Sequence, residues 1–512
     1  MSRRKKSTNV TNATIVSLSQ QSSRKCAGLL ACVLSCIAAL TLCCPSIAQA
    51  KVLKSDIIAG ESVQDRGYTA SQCPSIDAKY AIATDEDGNV LFERSADTAA
   101  QIASMTKIMT AIVALDYNPD LNIKVTVTSE AAKIGESSAG LQQGDTMSLK
   151  TALNAMMVAS GNDAAQSIAT SVGADMLYNE GGDYGNEDAC VARFVQAMND
   201  KASELGLTNT EFTNPHGLDY GDYKGDLHSC ARDVAKEAAY AMKNSAFRKI
   251  VSQSSANITV TRNNQKVGIS LTSTDELIGS YEGTVGVKTG YTQKAGACYA
   301  GANDHNGKEY YVVIMNSSSE EQRFTDATIV WDWIYANETD YKLINCSDTV
   351  DATINGNQSS YPLVAEVAHQ DWTDKTIKAT VADPNQTIAA YTWNGNISEE
   401  VEYDNVTGNV SVGDKVGTIT FKQHNETVAT VDLIAAEDVA APNFIEGIGI
   451  FWQRMFSNFT GAQTVAQSTL YNTTPYLVDK TSSSTSTLTS TSTTTSDSSS
   501  ITTTSDSTGS SE

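Results

Sequence analysis

Beyond its N-terminus the chain has no apolar run of roughly 18 residues or more, the length that crosses a bilayer, so no internal membrane span is expected. Basic residues are also short: 36 Lys and Arg stand against 59 Asp and Glu in 512 residues. Six of the basic ones (Arg3, Arg4, Lys5, Lys6, Arg24, Lys25) fall in the first 50 positions, which hold no acid, so the remainder carries a net charge near −29. Such a surface repels phosphate backbones and excludes nucleic acid as a partner. The five histidines (His216, His228, His305, His369, His424) are scattered without HxxxH spacing, and no CxxC pair occurs. A metal site is therefore not expected, nor is any cofactor. Neither a GxSxG elbow nor a P-loop is present.

What is present begins with an export pattern. The basic stretch ends at Arg24-Lys25, residues 26–44 are apolar, Pro45 breaks the run, and Ala48-Gln49-Ala50 offers small residues for cleavage. Residues 1–50 read as a signal peptide. Five of the ten cysteines leave with it, and Cys73, Cys190, Cys230, Cys298 and Cys346 remain, too few and too widely spaced for a disulfide scaffold. At the other end, residues 481–512 contain 26 Ser or Thr and no basic residue. That composition cannot bury a core and predicts a disordered tail, drawn here as 461–512.

Between the ends, residues 51–74 read as a linker and 75–340 as mixed α/β. A hairpin is predicted at 79–84 and 89–94, and helices at 102–116, 148–159, 163–172, 188–205 and 231–244. Strands follow at 258–262, 266–271, 284–290, 297–302 and 309–315, the last two joined across Asn306-Gly307. Strands at both ends enclosing helices suggest one antiparallel sheet with a long helical insertion. Residues 345–440 alternate apolar and polar and read as a small all-β domain. Then 443–460 place Ile445, Ile448, Phe451, Trp452, Met455, Phe456 and Phe459 at helical spacing. Such an amphipathic helix either lies on a membrane surface or packs back on the protein; its place between a folded domain and a disordered tail favours the membrane.

Three short motifs carry chemistry. In Ser104-Met105-Thr106-Lys107 the two ends are neighbours on a helix, so the Lys107 amine reaches the Ser104 hydroxyl. Serine is a weak nucleophile until an adjacent base takes its proton, and burial beside another cation makes lysine such a base. Ser160-Gly161-Asn162 places a hydroxyl and a carboxamide in the break between two helices, where ordinary N-capping would use the same residues. Lys288-Thr289-Gly290 ends a strand with a cation and a hydroxyl suited to a carboxylate, and Gly290 lets a ligand backbone approach. Each motif alone is common. S-x-x-K, S-D-N and K-T-G in this order mark class A β-lactamases and penicillin-binding proteins.

The chain resembles the serine D-alanyl-D-alanine carboxypeptidases, the low-molecular-mass penicillin-binding proteins. The resemblance extends to Glu204-Leu205-Gly206-Leu207, Asn214-Pro215-His216-Gly217-Leu218 and Lys288-Thr289-Gly290-Tyr291-Thr292, with SGN in place of SDN. It implies a penicillin-binding fold: an antiparallel sheet flanked by helices, a helical subdomain and a following small β-domain. By resemblance Ser104 is the nucleophile, Lys107 its base, Ser160 the proton shuttle and Asn162 the grip on the substrate amide. Lys288, Thr289 and Gly290 would bind the terminal carboxylate, and the backbone N–H groups of Ser104 and Tyr291 would form the oxyanion hole. The implied substrate is a peptidoglycan stem peptide ending in D-Ala-D-Ala, with β-lactams as covalent inhibitors and the outer face of the cytoplasmic membrane as the location. A serine β-lactamase, a DD-endopeptidase and a slow penicillin-binding scaffold are the rival readings. The extra β-domain and the anchor helix speak against the first.

Overall fold

The computed structural model describes residues 51–478. The expected signal peptide and residues 479–512 lie outside them. The chain divides after Asn337 into two units.

The first unit is built on seven strands: β1 (Ile57–Ile58), β2 (Glu61–Ser62), β3 (Tyr80–Asp85), β4 (Val90–Arg94), β5 (Thr284–Thr292), β6 (Gly296–His305) and β7 (Lys308–Ser317). They form one sheet in the order β2-β1-β4-β3-β7-β6-β5, antiparallel throughout. The hairpin between β6 and β7 turns on Asn306 and Gly307 with φ of 56° and 81°, the left-handed pair that a two-residue turn requires. Residues 297–303 of β6 and 310–315 of β7 are buried without a break, as in strands covered on both faces. Edge strand β5 carries Lys288, Thr289 and Gly290.

The long insertion between β4 and β5 is helical, as expected. Its central helix α1 (Lys107–Tyr117) is buried from Lys107 to Leu115, which its near-continuous apolar sequence permits. Helix α2 (Asn162–Glu180) overruns the expected end at 172, because Gly173 is a crossing point and no terminus. A Cβ there would meet Cys190 O of the neighbouring helix at 2.0 Å. Helix α3 (Ala231–Met242) packs on β3 and β7, and α4 (Glu320–Asn337) on β6 and β7. Strands Ser255–Arg262 and Gln265–Thr272 do not join the main sheet. They pair with Lys124–Thr126 and Thr146–Ser148 in a separate four-stranded sheet.

The linker expected at 51–74 is instead part of this unit. Asp56 is buried against Arg94 of β4, whose guanidinium also donates to Ile76 O, Ala78 O and Lys51 O. One buried arginine thus straps residues 51–78 to the sheet.

The second unit is the small β-domain. Its six-stranded sheet is built around the hairpin Lys415–Gln423 and Glu426–Ala435, over a core of residues such as Val364, Ile377, Ile419, Phe421 and Leu433. Helix α5 (Phe444–Thr460) follows, opened by an Asn443–Glu446 capping box and closed by Gly461 in the left-handed conformation. The tail expected from 461 is contradicted over residues 461–478. Thr469–Leu470 returns to the sheet beside Ala365–Ala368, and buried Asn472 bonds Asn345 N, Leu343 O and Glu399. Few apolar residues mark this return, since backbone and carboxamide hydrogen bonds hold it.

Candidate active site

The three motifs meet at one cleft of about 650 Å³, lined by Ser104, Ser160, Asn162, Thr289, Gly290 and Tyr291 among others. Ser104 sits in a 3-10 turn, Ala103–Thr106, that feeds directly into α1. Ala103 takes φ of +48°, a left-handed value that costs a non-glycine residue about 1 kcal/mol or more. Two glycines wedge this turn in place. A Cβ on Gly290 would lie 2.7 Å from Ile102 O, and one on Gly217 1.8 Å from Ala103 O. Gly290 therefore serves close approach to the nucleophile turn as well as lining the cleft.

Lys107 is fully buried, and its Nζ lies 2.7 Å from Ser104 Oγ, 2.7 Å from Asn162 Oδ1 and 2.9 Å from His216 O. Burial, then the nearby charge of Lys288, push this amine well below the ordinary lysine range, with Asp163 opposing weakly. Carbonyl oxygens only accept. A neutral amine therefore spends its two N–H groups on Asn162 and His216 and turns its lone pair to Ser104.

The SGN segment is clamped from beneath. Asn162 N donates to Ser137 O at 2.8 Å and Asn162 Nδ2 to Gly135 O at 3.0 Å. Asp163 accepts from Ser138 Oγ, Ala139 N and Leu141 N, which staples the 138–141 loop to the start of α2. Ser160 adopts φ of +56° and reaches the cleft, but it is not among the partners of Lys107. The Asn162 carboxamide is engaged by Lys107 and Gly135 on its two sides.

On β5, Lys288 is 1% exposed and donates to Thr289 O. Burial and then Arg323 bring it down to about 7, offset by Asp275. Thr289 Oγ1 lies 2.6 Å from Thr274 Oγ1. Next in sequence, buried Asp275 accepts from Tyr299 OH and Leu277 N, and desolvation pushes its carboxyl up to about 6. Tyr299 pairs with Thr289 in the β5–β6 register, so these groups form one layer behind the cleft.

Sequence reasoning missed Arg323. It lies on α4, donates to Gly290 O at 3.2 Å, and lines the cleft where Lys288 does not. A lone arginine after two glutamates offers no local signal. His216, read as structural, is buried and uncharged; burial holds its imidazole well below the usual range, while its carbonyl serves Lys107. The five described cysteines are free thiols. Among the described residues no cluster of His, Cys, Asp or Glu could hold a metal ion.

The sheet with its helical insertion and the Ser-Lys cleft define a serine peptidase of the penicillin-binding type. A family model described as D-alanyl-D-alanine carboxypeptidase matches residues 67–319, and one described as penicillin-binding protein 5, C-terminal domain, matches 362–441. A Bacillus subtilis D-alanyl-D-alanine carboxypeptidase is 30% identical over 380 residues, covering 72% of this chain and 87% of its own. A Streptomyces D-alanyl-D-alanine carboxypeptidase is 33% identical, covering 49% and 84%; a Pseudomonas aeruginosa D-alanyl-D-alanine endopeptidase is 28% identical, covering 50% and 76%. The chain belongs to the D-alanyl-D-alanine carboxypeptidase family, and is a serine-type peptidase with a function in cell-wall metabolism.

Proposed function

We propose that this carboxypeptidase removes the terminal D-alanine of peptidoglycan stem peptides through an ester on Ser104. The observation that carries the mechanism is the Lys107 amine, buried and hemmed by two carbonyl acceptors with Ser104 as its remaining partner. Ser104 Oγ attacks the carbonyl of the penultimate D-Ala as its proton passes to Lys107 Nζ. The oxyanion forms against the backbone N–H groups of Ser104 and Tyr291, each such donor being worth about 2.7–4 kcal/mol. Collapse breaks the C–N bond, and Lys107 gives up its proton to the departing amine, with Ser160 turning from the cleft wall to relay it. Water then attacks the ester, Lys107 takes its proton, and Ser104 is restored. Thr289 and Arg323 receive the terminal carboxylate, with Lys288 adding positive charge from behind. Asn162 positions Lys107 and edges the cleft beside the substrate amide.

The chain reaches the outer face of the cytoplasmic membrane after export, and α5 rests on the lipid surface. In support, Gln453 and Arg454 tie the helix to Thr373 Oγ1, Gln370 O and Trp372 O of the β-domain. Phe444, Ile445, Phe451, Trp452, Phe456 and Phe459 stay exposed, the first and last above 80%. An aromatic face left in water at this size fits a membrane interface.

The test is D-alanine release from a peptide ending in D-Ala-D-Ala, with Ser104→Ala alongside. Serine-dependent release supports the mechanism. A folded protein that is acylated by penicillin yet releases no D-alanine would point to cross-link cleavage or a slow binding role instead.

A further inference from the structure

Three carboxylates line the cleft and acyl transfer uses none of them: Glu320 pairs with Arg323, Asp219 accepts from Thr292 Oγ1, and Glu136 is the third. Glu136 lies on the wall that bears Ser160 and Asn162, whereas Arg323 stands on the β5 wall through its bond to Gly290 O. Glu136 is held rather than free. Both neighbours are fixed by Asn162, Gly135 through its carbonyl and Ser137 likewise, and Ser137 Oγ also donates to Ala159 O at 3.0 Å. Glu136 itself takes φ of +66°, an unfavourable value for a residue with a Cβ. Its Oε1 accepts from Tyr220 OH at 2.8 Å across the cleft, and no described cation pairs with it. Burial and then this bond push the Tyr220 phenol up to about 12, so it remains a donor at neutral pH.

The substrate threads this geometry in a fixed direction. Its terminal carboxylate belongs on the β5 wall with Thr289 and Arg323, and Ser104 attacks the next carbonyl. With the carboxylate there, the wall of Asn162 and Glu136 is the one left to meet the residue preceding D-Ala-D-Ala. Lys294, the other cation of the cleft besides Arg323, donates to Asp219 O. The Glu136 carboxylate, with an acceptor oxygen to spare and no cation paired to it, suits an ammonium and leaves an apolar side chain unmatched. Resting on the carboxypeptidase reading, we propose that Glu136, oriented by Tyr220, is a specificity residue that takes the side-chain ammonium of the amino acid preceding D-Ala-D-Ala.

The experiment compares D-alanine release by the full protein from Nα-acetyl-L-Lys-D-Ala-D-Ala and from its Nα,Nε-diacetyl counterpart. The two differ at the side-chain nitrogen, a free ammonium in one and a neutral acetamide in the other, so the Glu136→Gln comparison isolates the charge. The free amine should raise kcat/KM about tenfold, the scale of one charge-assisted hydrogen bond. That ratio should fall toward one in Glu136→Gln, fall part-way in Tyr220→Phe, and shrink with added salt. Thermal unfolding reports that each variant is folded. A peptide with meso-diaminopimelate in the same position tells which amine-bearing residue is read, by the size of its Glu136-dependent ratio. A wild-type ratio near one, or the same high ratio in Glu136→Gln, would overturn the assignment. Failure of the reading beneath it looks different: neither peptide would release D-alanine, although penicillin still acylated Ser104.

Discussion

Gly217 and Ala103 touch backbone to backbone: a Cβ on Gly217 would fall 1.8 Å from the Ala103 carbonyl oxygen, at a φ of +92°. The loop after Pro215 thus presses on the residue before the nucleophile, while His216, one step earlier, accepts from Lys107. Gly217→Ala should displace the Ser104 turn, and the left-handed backbone adds a strain of about 1–3 kcal/mol. Penicillin acylation should slow at least about 100-fold, with a lower melting temperature. Stopped-flow acylation and thermal unfolding check both, and a variant that reacts like the parent would show that the contact is not needed.

The pH profile of kcat/KM should be bell-shaped. Lys107 acts only when neutral, so the rate rises through its lowered pKa on the acid side. Lys288, brought down to about 7, loses its charge above that value, and the rate should fall there. Asp275 favours the charged form of Lys288, so Asp275→Asn lowers the lysine further and should move the basic limb to lower pH. A basic limb that stays in place would remove Lys288 from the assignment.

Arg94 and Asp56 are both buried and bonded at two points. Removing one partner leaves the other uncompensated, so Arg94→Met should cost roughly 3–5 kcal/mol of stability. Chemical denaturation measures it. A loss below about 1 kcal/mol would mean that residues 51–78 are held by other contacts.

Replacing Phe451, Trp452 and Phe456 by serine should leave the β-domain folded, since none of the three is buried. It should abolish co-sedimentation with phospholipid vesicles, and undiminished sedimentation would reject the membrane contact. Point substitutions are preferable to truncation at 442, which would also remove the strand Thr469–Leu470.

Much of this was legible in the chain because it is local. Ser104 and Lys107 are one helical turn apart, Asn306-Gly307 is a turn in itself, and α5 announces its two faces by period. Period-two alternation likewise marked out the β-domain. The rest depends on contacts distant in sequence. Arg323 reaches the cleft only because α4 packs on the sheet that carries Gly290. Gly217 matters through a carbonyl more than a hundred positions away. Residues 51–74 lack the length of regular strands, and a single arginine on β4 recruits them. At Asn162 the pattern pointed to a grip on the substrate, while its bonds to Lys107 and Gly135 became visible only in three dimensions.

The return of Thr469–Leu470 to the sheet changes what kind of object α5 is. Strands of one sheet precede and follow it, so the helix is the crest of a closed loop and not a free end. Both of its ends are stitched to the same domain, which limits how far it can swing or be pulled out. A protease cutting after Val478 would shed the Ser/Thr-rich end and leave the helix in place, so a shortened protein should keep whatever hold α5 provides.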